Sequence, residues 1–304
     1  MNQPRGARPW GRMLQRFWNV ATELGCRGVG QQYEGKVKAM NRLTILGTQG
    51  WIPTSRRETT CLAFSDGAVL FLFDAGTGLS RLLEPPGSTM LQRASNVHLF
   101  LTHYHLDHVC GLAYLPALFA ERPLTIHVPA ADLNGVDPEK GIAELIRHPY
   151  NPGPLPLKDL RLETLAAGDN AVAGHRLRLR AQCHPDTTVA YRLDDLFTLA
   201  TDTVYDPNTA VFAHGSRLLL HEAWIDGIEE HMSGKEGLVA ATYKAHTSAR
   251  QAAELAAQAG VDELWLIHLN PTMDEAYYQQ MEASAREKFA RTKVVPDLYF
   301  IDFG

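Results

Sequence analysis

Residues 101–112, LTHYHLDHVCGL, place His103, His105, Asp107 and His108 within six positions, directly after the apolar run NVHLF. Side chains two apart on an extended chain point the same way, so His103 and His105 share a face. Asp107 and His108 follow where the chain turns toward a helix, and neighbours at such a turn diverge. The spacing therefore predicts one cation at His103 and His105 and a second at Asp107 and His108. Imidazole and carboxylate donors suit zinc, manganese or ferrous iron. Two ions need roughly three or four more protein ligands, so the fold must bring distant segments to this loop. A solvated polar loop is the simpler alternative.

Further candidates stand at the ends of other apolar runs. His184 follows LRLRAQC, Asp202 follows LFTLA and His268 follows ELWLI. An ionised aspartate at the end of a buried strand is costly unless paired, and metal ligation accounts for Asp202. The four cysteines, Cys26, Cys61, Cys110 and Cys183, lack C-x-x-C spacing. This excludes a cysteine-rich structural zinc site and, with no apolar leader, points to a reducing, cytoplasmic setting. Cys110 and Cys183 read as small buried apolar residues.

The chain has 304 residues, 45% hydrophobic and 21% charged, enough for a substantial core. A net charge of −5 gives no global attraction to nucleic acid. No apolar run has the length of a membrane span. Residues 1–40 are rich in arginine and read as a poorly ordered extension or one short helix over WGRMLQRFWNVATEL. The main folded domain is expected over 41–304. RLTILG, TCLAF, AVLFLFDAG, NVHLFLTH, LTIHVP, LRLETL, HRLRLRAQCH, TVAYRLDD, LFTLATDT, RLLLHEAW and DELWLIHL read as strands. A helix is expected from Leu106–Val109 through CGLAYLPALFAE. Another is expected over TSARQAAELAAQAG, with Ser248 and Gln251 at capping-box spacing and Gly260 as its stop. The proline- and glycine-rich stretch 129–158 reads as a long loop or lid. Strands in series, then helix, then strand, recur in both halves. That pattern indicates an α/β (α+β) fold: a four-layer αββα sandwich of two mixed β-sheets flanked by helices.

The segments LGTQGWIPTSRRETTCLAF, FLFDAGTG, LTHYHLDHVCGL, HPDTTVAYRL, LATDT, LLLHEAW and AHTSARQAAELAAQAGVDELWLIHLNP resemble the metallo-β-lactamase fold superfamily. Within it they look like the ribonuclease Z-like and phosphodiesterase branch. The match runs in order over about residues 42–272. The resemblance implies a hydrolase with two divalent metal ions, zinc foremost and manganese or iron as alternatives, using a metal-bridging hydroxide. It implies that His103, His105 and His184 hold one ion, that Asp107, His108 and His268 hold the other, and that Asp202 bridges them. Asp74 would order the histidine loop rather than bind metal. His246 and Glu222, in HTS and HEAW, would be catalytic: His246 toward the leaving group or phosphate, Glu222 as its support. Asp107 would also position the nucleophile.

Ribonuclease Z carries an inserted arm that grips tRNA, after the third metal histidine. Here only residues 185–201 separate His184 from Asp202. This departure implies a small-molecule or short phosphodiester substrate, and disfavours tRNA. No membrane partner is expected, and a homodimer is suggested by analogy alone. The main alternative is hydrolysis of carboxylic esters, thioesters, lactones or β-lactams on the same metals. A more distant one is an iron-dependent oxidoreductase. The HEAW and HTS pair favours phosphodiesters.

Overall fold

Alternation of apolar side chains decides where each strand can go, because most strands here are apolar on both faces. In the computed structural model, which describes residues 41–149, 157, 159–228, 234 and 236–304, they form two sheets. The extension 1–40 lies outside the described residues. The first half of the chain supplies β1 (Asn41–Gly47), β2 (Cys61–Ser65), β3 (Val69–Phe73), β4 (Asn96–Phe100), β5 (Pro123–Pro129) and β6 (Asp159–Leu165). The second supplies β7 (Gly168–Val172), β8 (His175–Ala181), β9 (Val189–Leu193), β10 (Phe197–Ala200), β11 (Leu218–Ala223), β12 (Glu263–Leu269) and β13 (Thr292–Val294). The last strand, β14 (Phe300–Phe303), returns to the first sheet. The orders are β14-β1-β2-β3-β4-β5-β6 and β13-β12-β11-β10-β9-β8-β7.

Each sheet is antiparallel along one flank and parallel along the other. In the first, β3, β4, β5 and β6 run parallel. In the second, β10, β11, β12 and β13 do. Parallel strands need crossover segments and deliver all their carboxyl ends to one edge, where ligand sites of open α/β sheets form.

The layers follow from period-two alternation. Phe71 and Phe73 of β3 meet Tyr191, Phe197, Leu218 and Leu220 of the other sheet in the central core. Leu70 and Leu72, their neighbours, point outward into a second cluster with Leu79, Leu112 and Phe119. On the far side, Leu219 and Leu264 pack under the helix Ala249–Ala259. That helix begins with the reciprocal Ser248–Gln251 capping box that its sequence predicts, and ends at Gly260 with φ +68°, where a side chain would be strained. Its buried face is mostly alanine, which lets it lie close to the sheet. Among the described residues, no helix is long and apolar enough to cross a membrane.

Several expectations need correction. The helix expected from Leu106 onward is broken into three short turns, Leu106–Val109, Cys110–Tyr114 and Leu115–Phe119. The Gly111 N–H donates across to Ala75 C=O at 2.7 Å instead of along the helix, and Pro116 has no N–H to give. The stretch 129–158 is not one long loop. It contains helices Ala131–Asn134 and Pro138–Ile146, the latter capped by the Asp137 side chain accepting from Lys140 N–H. Asp-Pro at a helix start is a usable signal that the overall proline content obscured. Residues 150–156 and 158 of that stretch lie outside the described residues. The short strands β7, β13 and β14 had no strong apolar pattern to reveal them. Cys183 is exposed and Cys110 only half-buried, so neither is the buried apolar residue expected.

At the sandwich end marked by the β2–β3 turn, His175 ties the sheets together. It hydrogen-bonds to Asp194 at 2.6 Å on its own sheet and to Asp66 at 3.0 Å on the other. Burial opposes a charged imidazole, yet the two carboxylates outweigh it and raise the pKa of His175. A group raised on folding stabilises the native state fully below its unfolded value of about 6.5, and stops doing so as pH rises through the folded value. Urea midpoints followed from about pH 5 to pH 9 should therefore fall more steeply for the native chain than for His175→Gln. Parallel curves would show that the bridge does not contribute.

Candidate metal centre

The site is built from strand tips. Asp74 follows β3, His103 follows β4, Asp202 follows β10, Glu222 lies near the end of β11, and His268 lies near the end of β12. Because these strands belong to the parallel flanks, their ends share one edge of the sandwich. The backbone at that edge is strained. Trp51, Asp74, Asp202 and His268 have φ of 62°, 61°, 51° and 47°, the left-handed region that non-glycine residues avoid. Such conformations cost about 1–3 kcal/mol each and persist where the surrounding structure enforces them, typically at functional sites.

Three of these tips, His103, Asp202 and His268, make a tight polar cage with Asp107 and His108 of the helical turn Leu106–Val109. Asp202 Oδ2 lies 3.2 Å from His108 Nε2 and 3.4 Å from His268 Nε2. Asp107 Oδ2 lies 3.3 and 3.4 Å from the same two nitrogens, which are themselves 3.3 Å apart. Asp202 Oδ1 faces His103 Nε2 at 3.8 Å. Three overlapping sets each bring their ligand atoms within 4.8 Å of one another: His103, His108 and Asp202; Asp107, His108 and His268; Asp202, His246 and His268.

Outer partners decide which nitrogen each ring offers. His108 Nδ1 donates to Asp74 Oδ2 at 2.8 Å. Asp74, fully buried, also accepts from Thr102 N–H at 2.7 Å and from the Thr102 hydroxyl at 3.0 Å. His103 Nδ1 meets that hydroxyl at 2.9 Å. His105 Nε2 pairs with Asp186 Oδ2 at 3.0 Å, and His184 Nδ1 faces the Asp186 main chain, 2.7 Å from its carbonyl oxygen and 3.1 Å from its nitrogen. His246 Nδ1 donates to Glu222 Oε2 at 2.7 Å. The other nitrogen of each ring is left for the cleft.

Electrostatics and donor chemistry both fit a divalent cation. Burial works to protonate Asp202, but His268, His108 and His103 hold it well below the usual carboxylate range. Burial likewise opposes charge on His268, yet Asp202, Asp107 and Glu222 push it up to about 10. The carboxylates thus create a strongly negative potential at the ring nitrogens, and the same potential stabilises a metal ion placed among them. His103 Nε2 is buried with no hydrogen-bond partner among the described residues, as a ligand atom would be. No thiol belongs to any of the three sets, and nitrogen with oxygen donors suits zinc, manganese or iron.

Of the residues singled out from the sequence, His105, Asp107, His184, Asp202, His246 and His268 line one cleft, while His103, His108, Asp74 and Glu222 are buried beside it. His105 and His184 stand at its mouth, their rings 5.9 Å apart, and join none of the tight sets. Asp74 touches the cage from behind. His246 sits 5.8 Å, ring to ring, from His268, with Trp224 stacked on it at 4.3 Å. The cleft, of about 360 Å³, is lined by Trp51, His105, Asp107, His184, Asp202 and His246, among others. Sequence reasoning missed Asp186, Thr102, Trp51 and Gly50. Gly50 is there because a Cβ would stand 2.7 Å from both the His268 and Trp224 rings. Its neighbour Trp51 donates its N–H to Asp107 Oδ2 at 2.7 Å.

Comparison with known proteins identifies the family and the fold. The family model described as Beta-lactamase superfamily domain matches residues 70–269, a span holding every residue of the cage. Ribonuclease Z of Methanothermobacter thermautotrophicus is 24% identical over 323 residues, covering 86% of this chain and 97% of that protein. The metallo-beta-lactamase fold protein YhfI from Bacillus subtilis superposes with a TM-score of 0.66 at 20% identity, covering 88% of this chain and all of the other. A diphosphatase from the PhnP family superposes at 0.62 with 14% identity, covering 86% and 98%. At these identities the solved structures show the shared fold.

Removing the partner behind His108 tests the outer shell. Asp74→Ala should weaken divalent-cation binding about 10–100-fold, measured by competition with a chromophoric chelator. Unchanged affinity would mean that the Asp74 contact does not orient the ring for metal.

Proposed function

The chain belongs to the beta-lactamase superfamily, and from this premise we propose that it is a metal-dependent phosphodiesterase working with two divalent cations, zinc foremost. His103, His105 and His184 would hold one ion and Asp107, His108 and His268 the other, with Asp202 shared. When bound, the pair supplies Lewis acidity: it lowers the pKa of water toward neutrality and offsets charge on the reacting phosphoryl oxygens. The chain's own residues do the rest.

The observation that carries this reading is the Glu222–His246–Trp224 unit beside the cage. Glu222 is fully buried, and its Oε1 accepts from the Thr203 N–H. Burial favours its neutral form, but His246 and His268 outweigh that and keep it ionised. Its Oε2 takes the His246 Nδ1–H, which makes Nε2 the nitrogen that takes up and gives back a proton. Trp224, stacked within 10° of parallel, prevents the ring from turning away. His246 Nε2 can then protonate the departing ester oxygen, which is the step a phosphodiester with a poor leaving group needs. Asp107 is held by the Trp51 N–H and turned toward the cleft, where it orients the attacking water and balances positive charge.

Short substrates are favoured by what lies between His184 and Asp202. Residues 185–201 form a loop and the antiparallel pair β9–β10, and so short a link supports a small substrate over a folded RNA. A small-molecule or short phosphodiester is in scale with the cleft of about 360 Å³.

Three measurements test the reading. The metal-loaded chain should hydrolyse bis-p-nitrophenyl phosphate, and Asp107→Ala should abolish this while leaving circular dichroism unchanged. Lactone or β-lactam turnover well above diester turnover would defeat the proposal, and a precursor tRNA in the same panel tests substrate size. His246→Ala should slow diesters with alkoxide leaving groups about 10²–10⁴-fold but affect p-nitrophenolate release far less. Equal losses for both would remove His246 as the proton donor.

A further inference from the structure

The β1–β2 loop puts a large apolar surface into water at the mouth of the cleft. Trp51 is 62% exposed and Ile52 48% exposed; Leu106, the chain neighbour of Asp107, is 69% exposed. Packing does not explain this, since an exposed indole adds little to fold stability. The backbone is not relaxed either. Trp51 has φ +62°, and the Ile52 N–H closes a three-residue turn onto Gly50 C=O at 2.8 Å, an uncommon and strained arrangement.

The base of this turn is nonetheless fixed. Gly50 N–H and the Gln49 side-chain amide both donate to Leu269 C=O, at 2.9 and 2.7 Å, next to His268. The Trp51 N–H is held by Asp107. The indole is therefore presented from a rigid mount, on the same cleft as Asp107 and His246. The other tryptophan there, Trp224, has a ring face already covered by His246. A fixed aromatic surface loses little conformational freedom on binding, and it matches a flat partner through its face.

We propose that Trp51 is a stacking platform for a planar aromatic group of the substrate, a nucleobase or an aryl ring, next to the ester that reacts. This inference rests on the phosphodiesterase reading for the identity of that ester. It makes Trp51 a specificity-determining residue, acting through its side chain, separately from the main-chain contact to Asp107.

That separation makes the test clean. Trp51→Ala and Trp51→Phe both keep the N–H that holds Asp107, so bound metal should stay at the native level by elemental analysis. Calorimetric titration of the metal-loaded full chain would compare adenosine monophosphate, p-nitrophenyl phosphate and ribose 5-phosphate. Trp51→Ala should weaken at least one aromatic ligand about tenfold or more, and ribose 5-phosphate by less than about twofold. Trp51→Phe should recover most of the loss. A loss confined to adenosine monophosphate assigns a nucleobase, and one confined to p-nitrophenyl phosphate an aryl group. If the aromatic ligands keep their affinity, or weaken in step with ribose 5-phosphate, the proposal is overturned. A parallel fall in bound metal overturns it as well, because Trp51 would then act through Asp107. A native chain that hydrolyses no diester, yet distinguishes these ligands through Trp51, defeats the phosphodiesterase reading and supports the platform.

Discussion

Asp202 is buried, ionised and surrounded by imidazoles, and the rest of the site depends on that arrangement. A carboxylate taken out of water is costly unless opposite charge surrounds it. His103, His108 and His268 come from two separate sheets to do so. Neither sheet alone could meet the requirement, since the first supplies His103 and His108 and the second supplies Asp202 and His268. The cage therefore couples catalysis-competent geometry to the packing of the whole sandwich.

The topology supplies the convergence. In each sheet the parallel flank aims its carboxyl ends at the same edge, and the central aromatic core, from Phe71 and Phe73 to Tyr191 and Phe197, holds the two edges in register. Tyr191 even reaches across to donate its hydroxyl to Leu101 C=O, one residue before Thr102. Strained tips at Asp74, Asp202 and His268 are sustained by this packing. The strain is concentrated where side chains must leave a strand abruptly to face the cleft.

Around the cage, function divides between depth and rim. Deep residues hold charge in a dry setting, where electrostatic interactions are strong. Rim residues remain wet: His105 and His184 lean on Asp186, and Trp51 stands in solvent. His246 lies between the two regimes, fixed by a buried glutamate behind it and free on its other nitrogen in front.

How much of this was legible in the chain depends on the range of the interaction involved. Strand alternation, the capping box at Ser248, and the placing of ligand-type side chains after apolar runs are local, and the sequence by itself determined them. It also named the residues of the cage, because histidine and aspartate at strand ends carry their own chemistry. Local rules could not reveal that Gly111 bonds across to Ala75 and breaks a helix, or that an Asp-Pro cap starts one inside a proline-rich stretch. Nor could they reveal that Asp186, distant in sequence from His105, orients its ring, or that Gly50 is small because two rings crowd it. Those features, and the choice of nitrogen each histidine offers, were decided only by the tertiary structure. They are properties of contacts between segments that become neighbours only when the two sheets close on their common core.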